Sequence, residues 1–434
     1  MRAVRYSHAV RKMILVAVAA ACGVACSTLL GVDDLPGIMG VDGGDAHMDS
    51  LRDAGPGRLD PSFGDHGIAT ITMNTSLSDA ELIVEGDDIR IFALTEEDAL
   101  LLIRCSKDGQ CDTSHPTTIW TGQEIAGYAM KDPTGGDLLV HMSVAAPNFH
   151  TIRQLVRLVR DGGVEVLQRE ELDYSSSVSD HGVAAGPSRI VMLQPADLGV
   201  DGGEIQLRGL LPDGGVDRQF GTNGNAASPN FGQTPLLNGV TMEPDGAIFV
   251  LLGNLPSNFA TWLRFRADGG LDTTFGSDGG IGETSALSSG KAFLADDAGY
   301  VIGGSRNDAR GVLAYVTREG RLDPSRWDQG IFRFPSLSAS DDPYVISVEA
   351  LGRGPNGTIV VLGTAHQLRG PSITVLARVG PSGLDRSFGD NGLVSLGTNA
   401  TEGPDSLAMQ SDGKALVVWA DGDGALRLAR YFVE

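Results

Sequence analysis

Basic residues are scarce in this sequence, and their scarcity excludes one class of function. The 434 residues carry 33 Lys and Arg against 55 Asp and Glu, which gives a formal net charge of −22. Binding to phosphate depends on clustered Lys and Arg, so a surface of this charge repels nucleic acid and anionic membranes. We therefore expect no nucleic-acid partner.

Long apolar runs are equally few. One run, Met13–Val24, follows four cations and precedes an acidic, Gly-rich stretch. It is shorter than the about 20 residues that cross a bilayer, and no second run approaches that length. The pattern predicts a cleaved signal peptide over residues 1–25 and hence export. A buried N-terminal helix is the alternative, which the basic lead and the acidic sequence after it disfavour.

Small residues followed by a cysteine resemble a bacterial lipoprotein box. The match is Val24-Ala25-Cys26, followed by Ser27, and Ala20-Ala21-Cys22 is a second candidate. The family prefers Leu three residues before the cysteine, whereas this chain has Gly23. The resemblance implies lipid attachment at Cys26, firm anchoring by several acyl chains, and, through Ser27, the outer membrane. An ordinary signal-peptidase cut that leaves a free cysteine is the alternative.

The stretch after Cys26 has no period of either 2 or 3.6 residues and is dominated by Asp, Gly and Pro. Such a composition predicts a flexible tether, so residues 26–56 comprise the lipidated cysteine and its linker. We expect the protein at the outer membrane or the cell surface, and the periplasmic face is the alternative location. Its contact with the membrane is then through the lipid anchor only.

A motif of the form G-x-L-D-x-x-F-G-x-x-G recurs from residue 57 to the end of the chain. Its four best copies contain these acid and aromatic pairs: Asp60 and Phe63, Asp217 and Phe220, Asp272 and Phe275, Asp385 and Phe388. Weaker copies centre on Asp112, Glu165 and Asp323. Successive acids are 52, 53, 52, 55, 51 and 62 residues apart. This spacing indicates seven units of one repeat.

Each unit has the texture of four short strands. Alternating apolar runs are separated by Asp-Gly or Asn-Gly turns, such as Asp245-Gly246 and Asn356-Gly357, which are typical of hairpins. Seven such units predict an all-β fold, a seven-bladed β-propeller of four-stranded antiparallel blades over residues 57–434. A β-solenoid is the alternative, although its coils are usually shorter. We expect Ile68–Met73 to pair with Leu426–Phe432 and so close the ring.

The unit boundaries follow from the repeated acids. They lie at about 60–111, 112–164, 165–216, 217–271, 272–322, 323–384 and 385–434.

The motif resembles the delta-60 repeat of bacterial β-propellers, whose pattern continues with x-x-D-G-K. Ser411-Asp412-Gly413-Lys414 matches that continuation, and the resemblance spans residues 57–434. It implies the propeller fold and often an exported, surface-associated protein. It implies no activity, because the family carries no assigned catalytic or ligand residues.

The repeated residues have a structural interpretation and a metal-binding one. In the first, each Asp caps its own turn, Gly supplies a positive φ, and Phe fills the gap between blades. In the second, the carboxylates bind calcium, but a calcium loop gathers several oxygen ligands within a dozen residues and most copies here offer one or two. We expect the structural role, with no metal and no cofactor.

Cys105 and Cys111 flank a turn signal at Asp108-Gly109. Opposed positions of an antiparallel hairpin lie within disulfide range, and an exported protein meets oxidising conditions. The spacing predicts a disulfide, with two free thiols as the alternative.

Catalytic motifs are missing. The sequence has no H-E-x-x-H, no G-x-S-x-G and no complete phosphate loop, and its histidines are scattered. We predict no catalytic residues and expect a monomeric binding or scaffold module whose partner is an unknown envelope protein or glycan. The long segments Phe334–Val348 and Gln367–Pro371 are the candidate recognition loops. The alternative is an envelope enzyme, a lyase or hydrolase that uses the central channel.

Overall fold

A computed structural model describes residues 55–121, 125–131, 138–145, 151–159, 163–172, 182–195, 203–232, 236–253, 259–276, 281–296, 298–306, 310–335, 345–366, 372–397, 406–421 and 423–434. The chain divides into two units, residues 1–43 and 44–434. The first unit lies outside the described residues, and so do the predicted signal peptide, Cys22 and Cys26. The account below concerns the second unit.

Seven antiparallel sheets follow one another along this unit, which confirms the predicted seven-bladed propeller. Blade 1 contains β2 (Leu77–Glu85), β3 (Asp88–Thr95), β4 (Ala99–Cys105) and β5 (Thr117–Thr121), and blade 2 contains β6 (Ile125–Lys131), β7 (Leu138–Ala145), β8 (Thr151–Leu158) and β9 (Val164–Leu172). Blade 3 contains β10 (Gly182–Gly186), β11 (Arg189–Pro195), β12 (Ile205–Leu210) and β13 (Asn225–Ala227). Blade 4 contains β14 (Leu236–Met242), β15 (Ile248–Gly253), β16 (Ala260–Phe265) and β17 (Ile281–Thr284).

The remaining blades complete the ring. Blade 5 contains β18 (Ser289–Asp296), β19 (Gly299–Ser305), β20 (Gly311–Thr317) and β21 (Ile331–Arg333). Blade 6 contains β22 (Val345–Arg353), β23 (Ile359–His366), β24 (Ile373–Gly380), the short β25 (Gly383–Leu384) and β26 (Leu393–Gly397). Blade 7 contains β27 (Ser406–Met409), β28 (Ala415–Ala420), β29 (Leu426–Tyr431) and β1 (Ile68–Ile71). One short 3-10 turn, Pro355–Gly357, joins β22 to β23.

The core lies between neighbouring blades. The strand β15 is buried at all six of its positions, because both faces of its sheet pack against adjacent sheets and a sheet covered on both faces favours continuous apolar runs. One cluster between blades 4 and 5 combines Phe249, Trp262 and Phe275 with Tyr300 and Ile302. The stability of each blade therefore depends on its neighbours.

The ring closes where the two ends of the described chain meet. The strand β1 pairs antiparallel with β29, with Ile68 opposite Ala429 and Ile71 opposite Leu426, as predicted from the sequence. The innermost strands also contact one another in succession, from β2 through β6, β10, β14, β18, β22 and β27 back to β2. No blade is left with an open face at the junction.

The antiparallel order separates the connections into two ends of the ring. Turns from first to second strand and connections from third to fourth strand lie at one end, which we call the motif end because every copy of the motif lies there. The other connections belong to the opposite end. The two candidate recognition loops join β21 to β22 and β23 to β24, so both belong to the opposite end, and their residues 336–344 and 367–371 lie outside the described residues.

Candidate functional site

The repeated aspartates cap the turns in which they stand. One carboxylate oxygen of Asp60 accepts the backbone N–H of Ser62 at 3.0 Å. The same contact recurs from Gln219 to Asp217 at 3.0 Å, from Thr274 to Asp272 at 3.1 Å and from Ser387 to Asp385 at 3.0 Å. Such turns are a common use of Asp in loops, since its side chain satisfies the backbone two residues on.

The second carboxylate oxygen binds an arginine that sequence reasoning missed. The distances from guanidinium nitrogen to carboxylate oxygen are 2.9 Å for Arg430 and Asp60, 3.2 Å for Arg264 and Asp272, 3.0 Å for Arg378 and Asp385, and 2.6 Å for Arg189 and Asp217. A signal was available, because Arg264 and Arg378 stand eight and seven residues before their aspartates. A carboxylate thus serves the turn and the ion pair together.

Each arginine also covers the aromatic ring of its motif copy. The guanidinium carbon lies 4.6 Å from the ring centre of Phe63 for Arg430, 5.0 Å from Phe220 for Arg189, 5.3 Å from Phe388 for Arg378 and 6.0 Å from Phe275 for Arg264. All four rings are buried. Guanidinium groups are attracted to such ring faces, so charge and packing act at one place.

The glycine after each phenylalanine ties its motif copy to the next blade. The N–H of Gly64 donates to Asp108 O at 2.8 Å, within the turn that opens the next copy. Equivalent bonds run from Gly221 to Asp268, from Gly276 to Glu319 and from Gly389 to Pro56. The turn glycine fits closely, because a Cβ on Gly109, whose φ is +83°, would lie 2.9 Å from Phe63 Cζ.

These contacts join neighbouring blades around the motif end. We call this set of contacts the motif belt. It comprises the Asp, Phe and Gly of each of the four best copies, the arginine partner and the turn of the next blade. The weaker copy at Asp323 uses Trp327 instead of Phe, and Trp327 Nε1 donates to Gly380 O of blade 6 at 2.9 Å. The copy at Glu165 keeps its ion pair with Arg157 at 3.4 Å.

The belt shifts the ionisation of its acids. Burial alone raises the pKa of the Asp60 carboxyl, but hydrogen bonds from Ser62 and Lys414 and the charge of Arg430 outweigh it, so the pKa lies below its ordinary value. The pKa of Asp385 is lowered chiefly by the hydrogen bond from Ser387. These carboxylates are therefore charged at neutral pH, as an ion pair requires.

Cys105 and Cys111 are joined by a disulfide in the structure. The bridge closes the hairpin turn whose Lys107 O accepts Arg430 Nη1 at 2.5 Å and whose Asp108 O accepts the N–H of Gly64. Cys105 is buried in the same cluster as Phe63. The disulfide thus supports the turn on which the closing seam of the ring rests.

The innermost strands are irregular in several blades. Four of them have register shifts in their pairing with the second strand, at Leu77/Asp79, Leu237/Gly239, Gly290/Ala292 and Val348/Ala350. At two of these shifts Lys291 Nζ lies 2.7 Å from Glu349 Oε2. The other carboxylate oxygen, Oε1, accepts a hydrogen bond from Ser347 Oγ at 2.6 Å. The charges of Lys291 and Glu349 compensate each other and tie blade 5 to blade 6.

The described histidines do not gather at one place. His66 and His115 stand in motif turns beside Asp65 and Asp112, whereas His141 is buried in β7. Across the described ranges, no group of three or more His, Cys, Asp and Glu is arranged to hold a metal ion. In the same ranges no helix has the length and apolar character of a membrane span.

No family model and no curated protein matches this sequence. Solved structures are similar in fold. They include hydrazine synthase of Kuenenia stuttgartiensis, with 10% identity, a TM-score of 0.50 and coverage of 84% of this chain and 98% of that one. A glucose dehydrogenase has 12% identity, a TM-score of 0.43 and coverage of 73% and 99%. Drosophila Semaphorin 1a, extracellular domains 1-2, has 9% identity, a TM-score of 0.43 and coverage of 86% and 89%. At these identities the likeness shows the fold alone.

Proposed function

We propose that this protein is an envelope-anchored β-propeller lipoprotein that acts as a non-catalytic binding or scaffold module. Its anchor is lipid on Cys26, its repeats are of the delta-60 type, and its partner is an envelope protein or glycan. The observation that carries the proposal is the motif belt. The residues that recur in the described copies are engaged in capping turns and joining blades, so their repetition is explained by architecture.

The opposite end supports the placement of recognition. Its connections differ in length, from three residues at 96–98 in blade 1 to eleven at 334–344 before blade 6. A rigid ring that presents loops of different lengths is the usual arrangement of a recognition surface, because loops change without disturbing the scaffold. The two candidate loops both border blade 6.

Capture by the full chain tests the recognition surface. The chain, tagged at its C terminus and crosslinked in its own cells, is compared with a variant in which residues 336–344 are replaced by a Gly-Ser segment of equal length. The matched control is Asp87→Ser, in an exposed two-residue turn at the motif end. We expect one partner that the loop variant loses and the control retains.

Equal capture by both variants would contradict the assignment of this loop. A folded chain that captures no partner would instead favour the channel-based enzyme, and Lys291→Met is the first variant to assay for that alternative.

Lipid attachment has a separate test. Incorporation of labelled palmitate is measured in the full chain, in Cys26→Ser and in Cys22→Ser. We expect the label to be lost in Cys26→Ser alone. Loss in Cys22→Ser alone would move the anchor to the other candidate, and label in neither the full chain nor the variants would refute lipidation.

A further inference from the structure

Blade 2 departs from the repeat at its third-to-fourth connection. In the other six units the outermost strand begins five to nine residues after the motif acid, as Ile68 does after Asp60. In blade 2, β9 begins at Val164, one residue before Glu165. The loop of the motif is replaced by strand, because the sequence from the acid onward reads Glu-Val-Leu-Gln-Arg where the four best copies have D-x-x-F-G.

The replacement lengthens an exposed edge. The strand β9 has nine residues and is the last strand of its sheet, whereas the outermost strands of the other blades have three to five residues. A propeller ordinarily leaves only short, protected edges. Long edge strands invite pairing with another chain, since half of their backbone groups face outward.

Apolar side chains border this edge. Among the described residues, the exposed large apolar side chains are Val164 at 41%, Val166 at 55% and Leu211 at 41%. Leu211 stands in the neighbouring turn of blade 3, where Gly214 lies against Leu167 of β9 and Pro212 O accepts a hydrogen bond from Arg157 of β8. The three apolar side chains therefore belong to adjoining segments.

The charges are unevenly distributed along β9. Its last five residues read Gln-Arg-Glu-Glu-Leu, and charges on an edge strand oppose pairing with another chain. Its first three residues, Val164–Val166, contain one charge, Glu165, whose side chain is 56% exposed. A register shift in the pairing with β8 separates the two parts near Leu167. The open part of the edge is Val164–Val166 together with Leu211.

We infer that the beginning of β9, Val164–Val166, accepts an extended peptide segment of a partner protein as a fifth strand of blade 2. The main-chain ladder supplies affinity and the alternate side chains supply specificity, as in β-strand addition. Apolar residues of the segment cover Val166 and Leu211, and its basic residues complement a chain of net charge −22. The inference rests on the proposed binding function and names the chemistry of one partner, an alternating apolar and basic strand.

The probe is a fluorescein-labelled octapeptide of alternating Val and Lys, and its anisotropy is measured against the full chain. We expect saturable binding that Val166→Lys weakens by about tenfold, since one apolar contact is lost and a charge of the same sign as the peptide is added. The matched control is Ala227→Lys, which adds the same charge at an exposed position of the short edge strand β13. We expect the control to change affinity by no more than about twofold.

Three outcomes would overturn the inference. Equal weakening by both variants, or equal binding of an octapeptide of alternating Pro and Lys, would mean that charge alone attracts the peptide, because proline cannot complete a ladder. Self-association that Val166→Lys abolishes would mean that a second copy occupies the edge. Thermal unfolding of both variants verifies that each is folded. The loop variant of the capture experiment leaves β9 intact, so the two proposals fail separately.

Discussion

Asp60→Asn removes one charge from the seam that closes the ring, and its effect follows from burial. The side chains of Asp60 and Arg430 are 3% and 6% exposed, their nitrogen and oxygen lie 2.9 Å apart, and Lys414 Nζ lies 3.1 Å from the same carboxylate. Breaking a buried ion pair by removing one partner costs about 3–5 kcal/mol, because the remaining charge is left uncompensated. An amide still caps the turn, so we expect a loss of about 3 kcal/mol in the free energy of unfolding.

Two further aspartates provide matched controls in the same motif. The carboxylate of Asp385 is 29% exposed beside Arg378, so water replaces part of the lost interaction in Asp385→Asn. We expect that variant to lose about 1 kcal/mol. Asp112 lies at the surface, and Asp112→Asn should unfold as the parent chain does.

Urea unfolding at neutral pH measures all three variants, with stability differences taken from midpoints at a common slope. The predicted order of loss is Asp60, then Asp385, then Asp112. Equal losses at the three positions would refute the argument from burial. They would mean that the motif acids act through the turn alone.

The remaining predictions concern acid, the disulfide and one glycine. Because the pKa of Asp60 is lowered in the folded chain, its stabilisation is complete above the unfolded value of about 3.9 and is lost as the pH falls through the folded value. The urea midpoints of the parent chain and Asp60→Asn should therefore begin to approach each other below about pH 4 and meet once the pH lies below the folded pKa. Reducing the bond between Cys105 and Cys111 should lower the free energy of unfolding by about 2 kcal/mol, because the unfolded chain regains the entropy that closing so short a loop had removed. An unchanged urea midpoint with reductant would contradict the claim that the disulfide stabilises the turn where the ring closes. Gly269→Ala should lower the free energy of unfolding by more than about 1 kcal/mol, because φ is +86° and a Cβ would lie 2.7 Å from a backbone nitrogen of the preceding copy. Gly413→Ala should lower it less, because φ is +83° but the space around the Cβ position is open. Thermal unfolding compares the two variants.

The fold could be predicted because its evidence is local and repeated. Copies such as Asp60 to Phe63 and Asp385 to Phe388 occur at a nearly constant interval, and a turn dipeptide such as Asp245-Gly246 separates strands within each unit. Seven units of four strands leave few architectures, and the pairing of β1 with β29 follows from the need to protect two edges.

The arginines of the motif belt show that sequence spacing identifies some ion pairs and misses others. Arg378 stands seven residues before Asp385, so its partner could have been inferred from the repeat. Arg189 could not, because Gly209 occupies the usual position and a different strand of blade 3 supplies the guanidinium to Asp217. An arginine from a neighbouring strand takes the place of the one missing at Gly209, and a linear sequence pattern does not show such a substitution.

The sequence by itself determined the number of blades, the strand order within each unit, the closing pair and the acidic character of the surface, because each depends on periodicity or composition. Only the tertiary structure decided which residues join one blade to the next. Arg430 and Asp60 are 370 positions apart in the chain, and Lys291 and Glu349 belong to different blades. It also decided that the irregular unit at Glu165 leaves a long edge beside Leu211. Contacts between distant residues depend on how the blades pack, and packing is a property of the closed ring.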